Sequence, residues 1–126
     1  MPLLGSMNCI FNCKMDKVKK YRKIARKIVE DIAEWSLGSK DIETMRAIDE
    51  AHGQYLLLSD GWLTDNRIYG PLIHIEVKKD GKVWLRHDGT DLEVGQQLLD
   101  AGVLPIDLVP AFHDPATRAY AGYAVA

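Results

Sequence analysis

Three observations predict an α+β fold. Residues 16–37 carry apolar side chains at helical spacing, residues 67–79 alternate strictly with a period of two, and a second helical pattern lies between Thr90 and Gly102. Together they describe a long N-terminal helix packed on a mainly antiparallel sheet, followed by a second helix and a short C-terminal element. A chain of 126 residues is long enough for one hydrophobic core. Residues 15–126 are expected to form that single domain, and residues 1–14 a flexible extension.

The first helix is justified by Val18, Tyr21, Ala25, Ile28, Ile32 and Trp35, whose spacings of three and four residues form one stripe, with Ile24 and Val29 on its flanks. Asp16 is suited to cap its start and Gly38 to end it. Residues 43–49 and 53–60 read as short strands with Ala51-His52-Gly53 turning between them, and Gly61-Trp62 with Thr64-Asp65-Asn66 reads as a loop. In 67–79, Ile73, Ile75 and Val77 share one face, and His74, Glu76 and Lys78 the other. Asp80-Gly81 closes this strand onto 82–88. A three-residue loop, Lys79-Asp80-Gly81 with Gly81 left-handed, pairs Val77 with Val83 and Ile75 with Leu85; a two-residue loop would set Ile75 against Arg86. The longer loop keeps the apolar faces together and is preferred. It sets Trp84 opposite Glu76 and Arg86 opposite His74, and points His74 and His87 to opposite faces. Thr90 and Glu93 make a T-x-x-E capping box for the second helix, which Gly102 stops. Residues 106–112 suit a strand or a helical turn, Pro110 argues against a central strand, and Pro115 opens the last element.

Net charge is −2, yet residues 1–27 carry +7 and residues 28–126 carry −9. The positive excess falls largely on one helix face. At 100° per residue Lys19, Lys20, Lys23, Arg26 and Lys27 lie opposite the apolar stripe. Cations near a helix N-terminus oppose the helix dipole at a cost of some tenths of a kcal/mol each. Helix stability therefore gives no reason for them, and docking of something anionic does: DNA, RNA or an acidic protein. A plain solvated face is the alternative.

The sequence offers little for catalysis. Cys9 and Cys13 form a lone C-x3-C and read as incidental reduced thiols. His52, His74, His87 and His113 show no ligand spacing, so no metal is expected. Ser6, Ser36, Ser39 and Ser59 lack a nucleophile context. Glu76-Val77-Lys78 repeats the E-x-K of nuclease strands, with Asp60 or Asp65 upstream, but reads as the polar face of a half-buried strand. No phosphate-binding glycine loop occurs. A non-enzyme without cofactor is expected. With no apolar run long enough for a membrane and no secretory pattern at Met1-Pro2-Leu3-Leu4-Gly5-Ser6, it is expected in the cytoplasm.

From Met15 onward the chain resembles the XisI family, factors controlling excision of a cyanobacterial DNA element. The resemblance is carried by Gly61-Trp62, Arg67-Ile68-Tyr69-Gly70, Leu72-Ile73-His74-Ile75 and Gly81-Lys82-Val83-Trp84-Leu85-Arg86-His87-Asp88-Gly89-Thr90. Gly102-Val103-Leu104-Pro105, Asp107-Leu108-Val109, Phe112-His113, Pro115, Arg118 and Ala124-Val125 extend it. Pro71, Asp91 and Ala121 stand where the family carries Cys, Glu and Thr. The resemblance implies a non-enzymatic control factor acting with a nuclease-like XisH-type companion. A direct DNA-binding module built on the basic helix, and an antitoxin-like subunit of a two-gene pair, are the alternatives. Trp62, Tyr69, His74, Trp84, His87, Asp88, Gly89, Thr90, His113 and Arg118 are its candidate motif and interface residues, Thr90 and Gly89 with a structural role in the turn. The aromatic residues Trp62 and Trp84 and the tyrosine-rich C-terminus predict a homodimer.

Overall fold

The computed structural model describes residues 2–35 and 41–126, with side chains from residue 15 onward except those of 119 and 120. Helix α1 spans Pro2–Trp35. Strands β1 (Ile42–Asp49), β2 (Gln54–Leu63), β3 (Asn66–Val77) and β4 (Val83–Asp88) form an antiparallel meander. Helix α2 (Val94–Ala101), strand β5 (Leu108–Pro110) and helix α3 (Pro115–Tyr120) complete the chain, and β5 joins β4 in parallel. The sheet order is β1-β2-β3-β4-β5. An α+β architecture results, with α1 packed on β1, β2, β3 and α2.

Helix α1 begins at Pro2, not at Asp16. Once the stripe nucleates the helix, each added residue costs little. Gly5, Ser6 and Asn8 are too weak as breakers to stop it, and Asp16 lies mid-helix rather than at a cap. The expected stop at Gly38 lies outside the described residues. Tyr21, Ala25, Ile28, Val29 and Ile32 are buried against Tyr55, Leu57, Ile73, Ile75, Val77, Val83 and Leu85. Trp35 departs from the expectation: the last residue of α1 is 67% exposed, since the apolar stripe outlasts the surface beneath it.

The β3–β4 register agrees with the longer loop. Val77 faces Val83, Glu76 faces Trp84 and Ile75 faces Leu85; Lys78 N–H donates to Lys82 O (2.9 Å), and Gly81 is left-handed at φ 90°. Beyond Ile75 the register shifts, so His74 pairs with His87 rather than with Arg86. A bulge inserts one residue into one strand, and Arg86 is that residue. This overturns the expectation that the two histidines point to opposite faces.

Gly61-Trp62 also differs from the loop predicted for it. Strand β2 continues through Leu63 and pairs Leu63 with Asn66 across a two-residue Thr64-Asp65 turn. A Cβ on Gly61 would stand 2.1 Å from the Asp41 carbonyl oxygen, so the glycine here permits close strand approach. Pro110 lies on an edge strand, where its missing N–H costs no ladder bond. Among the described residues no helix is long and apolar enough to cross a membrane.

Candidate interaction surfaces

Two surfaces hold most of the candidate residues, and they lie on opposite layers of the fold. The first is the outer face of α1. Lys19, Lys20, Lys23, Arg26 and Lys27 are all exposed, as their angular positions predicted. They are not equivalent. Arg26 donates to Glu30 and to Glu50, each at 2.9 Å, and Lys27 pairs with Asp31 at 3.0 Å. Lys19, Lys20 and Lys23 have no carboxylate partner among the described residues. A groove of about 730 Å³ lies along this face, lined by Lys19, Lys20, Arg22, Lys23 and Arg26, but also by Asp16 and Glu50. Arg22 Nε within it is buried without a hydrogen-bond partner among the described residues. Lys17, one turn earlier, is used internally: its ammonium pairs at 2.9 Å with Asp107, a carboxylate only 2% exposed.

The Tyr21 hydroxyl donates to the same carboxylate at 2.7 Å and accepts from Leu104 N–H at 3.3 Å. Burial and the Asp107 bond push this phenol up to about 12. The Tyr21–Asp107–Lys17 cluster locks α1 to the turn before β5. It escaped sequence reasoning because its members lie 86 residues apart in sequence.

The second surface is the sheet face turned away from α1. On its β1–β2 side Met45 faces Leu58 and Ala47 faces Leu56, all half-buried. At the hairpin tip Trp62 faces Arg67 and Asp60 faces Tyr69. The Arg67 guanidinium lies 5.8 Å from the Trp62 ring centre and 5.3 Å from that of Tyr69, and it also pairs with Asp60. Both rings are more than half exposed. At the β4 side, Trp84 is surrounded by Lys78 (4.5 Å), Arg86 (4.9 Å) and Arg118 (5.5 Å). Arg86 also donates to Glu76 through two nitrogens, at 2.8 and 2.7 Å. Arg67, Lys78 and Arg86 belong to this surface although they were not among the candidates. The available signal was their cross-strand position beside Trp62 and Trp84.

His74 lies on this face and bonds Gln54 Oε1 through Nε2 at 2.8 Å. Burial, then the Arg86 and His87 charges, hold its imidazole below the usual histidine range against the opposing pull of Glu76. Glu76 is driven up by burial, but the Arg86 hydrogen bonds and charge more than offset this and leave it below the usual carboxylate range. Arg118 holds the C-terminal segment by donating to the carbonyls of Pro110, His113, Ala111 and Val125. His113 is thus present through its backbone, with its ring against Phe112.

Asp88, Gly89 and Thr90 belong to neither surface. The expected Thr90–Glu93 capping box does not form: Glu93 is left-handed at φ 51° with no capping bond, and α2 starts after it. The cap comes from Asp88, whose Oδ2 accepts from Val94 N–H at 3.0 Å and whose Oδ1 accepts from Thr90 N–H and Oγ1 at 2.9 and 2.6 Å. Gly89 N–H donates to Leu72 O at 2.7 Å. The His-Asp-Gly-Thr turn ties β4, β3 and α2 together. Among the described residues no three His, Cys, Asp or Glu side chains gather as metal ligands.

Residues 15–125 match the family of XisI proteins. Two solved structures are similar over almost their whole length. A XisI-like protein from Anabaena variabilis is 32% identical, with a TM-score of 0.79 over 86% of this chain and 99% of its own. The fdxN element excision controlling factor XisI from the same organism is 29% identical, with a TM-score of 0.74 over 87% of this chain and 99% of its own. No curated protein matches the chain.

Proposed function

Since the chain belongs to the XisI family, we propose that it is a non-enzymatic control factor for excision or rearrangement of a DNA element, docking a nuclease-like XisH-type partner through the basic face of α1. One observation carries the choice of protein over DNA. Of the five candidate cations, Arg26 and Lys27 are already occupied by Glu30, Glu50 and Asp31, which leaves Lys19, Lys20 and Lys23. These lie within four residues, a rise of about 6 Å, whereas duplex recognition uses phosphates spread along the helix axis. Asp16 and Glu50 line the same groove and repel a phosphate track. A protein flank of mainly acidic, locally mixed charge suits that pattern better.

Co-purification tests this reading. The chain, co-expressed with the product of a neighbouring XisH-like gene, is expected to elute with it, and Lys19→Glu with Lys20→Glu and Lys23→Glu to separate the two. A duplex of about 20 base pairs is the control for the DNA-binding alternative. Direct phosphate contact by these three lysines would give a log K against log salt slope near −3, falling by about one unit for each Lys→Ala. Such a slope on DNA, together with failure to hold the protein partner, would favour the alternative.

A further inference from the structure

We infer that the outer edge of β1 is a pairing site, and that its occupant is β1 of a second copy, antiparallel across a two-fold axis perpendicular to the sheet at Met45. The two edges of the sheet differ. β5 is three residues long and carries Pro110, both common protections of an edge. β1 is eight residues long, pairs with β2 without a register shift, and contains neither proline nor glycine. Such an edge is a template for a further strand. One hydrogen bond fixes which of its backbone groups point outward. Trp62 N–H donates to Asp41 O at 3.3 Å, in the same register as the β1–β2 ladder, so these two residues form a hydrogen-bonded pair. Hydrogen-bonded and non-hydrogen-bonded pairs alternate along an antiparallel ladder. Glu43, Met45, Ala47 and Asp49 therefore bond to β2, while Ile42, Thr44, Arg46 and Ile48 direct N–H and C=O away from it.

A closed dimer needs a surface complementary to itself. An axis at Met45 maps the four outward residues onto themselves: Thr44 pairs with Arg46 of the second copy and Ile42 with Ile48, so every outward group of β1 gains a partner. An axis at Thr44 leaves Ile48 outside the paired strands. An axis at Arg46 leaves Ile42 outside, and it sets Glu43 against Asp49. Side chains agree with the first choice. Ile42 meets Ile48 on the helix side of the sheet, Met45 meets its own mate on the open side, and Glu43 lies against Ala47. Asp41 and Asp49 are brought together at the two ends, where Asp49 already bonds His52 at 2.7 Å. The helix layer joins the contact because α1 ends over β1: Glu34 lies 3.8 Å from Arg46, and Trp35 beside it is 67% exposed. Residues 42–48 at about 3.4 Å each, across a sheet and a helix layer each about 10 Å thick, cover roughly 500 Å² per copy. The total of about 1,000 Å² meets what a specific interface requires. Lys19, Lys20 and Lys23 lie toward the other end of α1, which Lys17 ties to Asp107 before β5, so this contact is independent of the basic face.

Light scattering on the full chain at about 50 µM decides the point first. A mass of twice 14.2 kDa supports the inference and the mass of a single chain overturns it. Thr44→Pro removes an outward N–H that the single chain does not use. It is expected to return the mass to that of one chain with an unchanged far-ultraviolet dichroism spectrum. Met45→Cys, with Cys9→Ser and Cys13→Ser, reads the register. Facing residues of a non-hydrogen-bonded pair lie about 4.5 Å apart at Cα, within disulfide reach, whereas Arg46→Cys in the same background lies about 8 Å from its mate. Oxidation is expected to link two chains of the first variant and not of the second. A doubled mass that folded Thr44→Pro leaves unmoved, or failure of Met45→Cys to link, would place the contact elsewhere and overturn the inference. If Thr44→Pro does not fold, the pair of cysteine variants decides alone.

Discussion

Asp88 shows how much one side chain can organise. Its carboxylate takes three hydrogen bonds, two from Thr90 and one from Val94, and so starts α2 from six residues upstream. Asp88→Ala is therefore expected to cost about 2–3 kcal/mol in urea unfolding, because it strands donors at a half-buried turn. Glu93→Ala is expected to change stability by less than about 0.5 kcal/mol, whereas loss of a real capping box would cost more. Tyr21→Phe removes a donor from the buried Asp107 and is expected to cost about 1–3 kcal/mol, Lys17 alone holding the carboxylate. His74 gives a pH dependence with a definite sign. Its folded-state value lies below the ordinary 6.5, so the fold favours the neutral ring. That contribution is complete above pH 6.5 and declines as pH falls from there toward the folded value. Glu76 is also depressed, so its contribution is held above the ordinary 4.5 and lost below it. The denaturant midpoint is expected to fall between pH 7.5 and 5.5 in the native chain and to stay nearly flat over that range in His74→Gln.

At the scale of elements, what the sequence made legible was periodic and what it hid was not. The α1 stripe, the Lys79-Asp80-Gly81 loop and the α2 stop at Gly102 follow from spacing and from backbone preferences, and the structure has all three. The bulge at Arg86 was not legible, because it breaks the period it interrupts and is favoured by sheet twist, which no local pattern records. The pairing of His74 with His87 depends on it. Gly61 was misread for a related reason. Glycine beside Trp62 resembles a loop in composition, but here it allows β1 to approach β2. Gly61→Ala is expected to destabilise the fold by about 2–4 kcal/mol, with loss of amide protection concentrated in β1; a mere loop glycine would cost under about 1 kcal/mol. The candidate site was half legible. The five basic positions followed from helical angle alone, but the carboxylates that occupy two of them come partly from another element, Glu50 beyond β1.

For the whole molecule, the two-layer build assigns different work to its two sides. One side of the sheet is sealed by α1 and α2, and the outer face of α1 presents Lys19, Lys20 and Lys23, which have no carboxylate partner among the described residues. The net charge of −2 conceals this concentration; with α1 beginning at Pro2 these lysines lie mid-helix, where the dipole neither opposes nor favours them. The proposed partner would supply the carboxylates they lack. The central claim is that α1 docks an acidic protein rather than DNA. The most direct measurement is the salt dependence of binding, by native chain and by the Lys19→Glu, Lys20→Glu, Lys23→Glu variant, to the product of a neighbouring XisH-like gene. The account predicts a complex at about 50 mM salt that weakens as salt rises and that the variant does not form. Binding that ignores both salt and these three charges, or no binding to that partner at all, would contradict it.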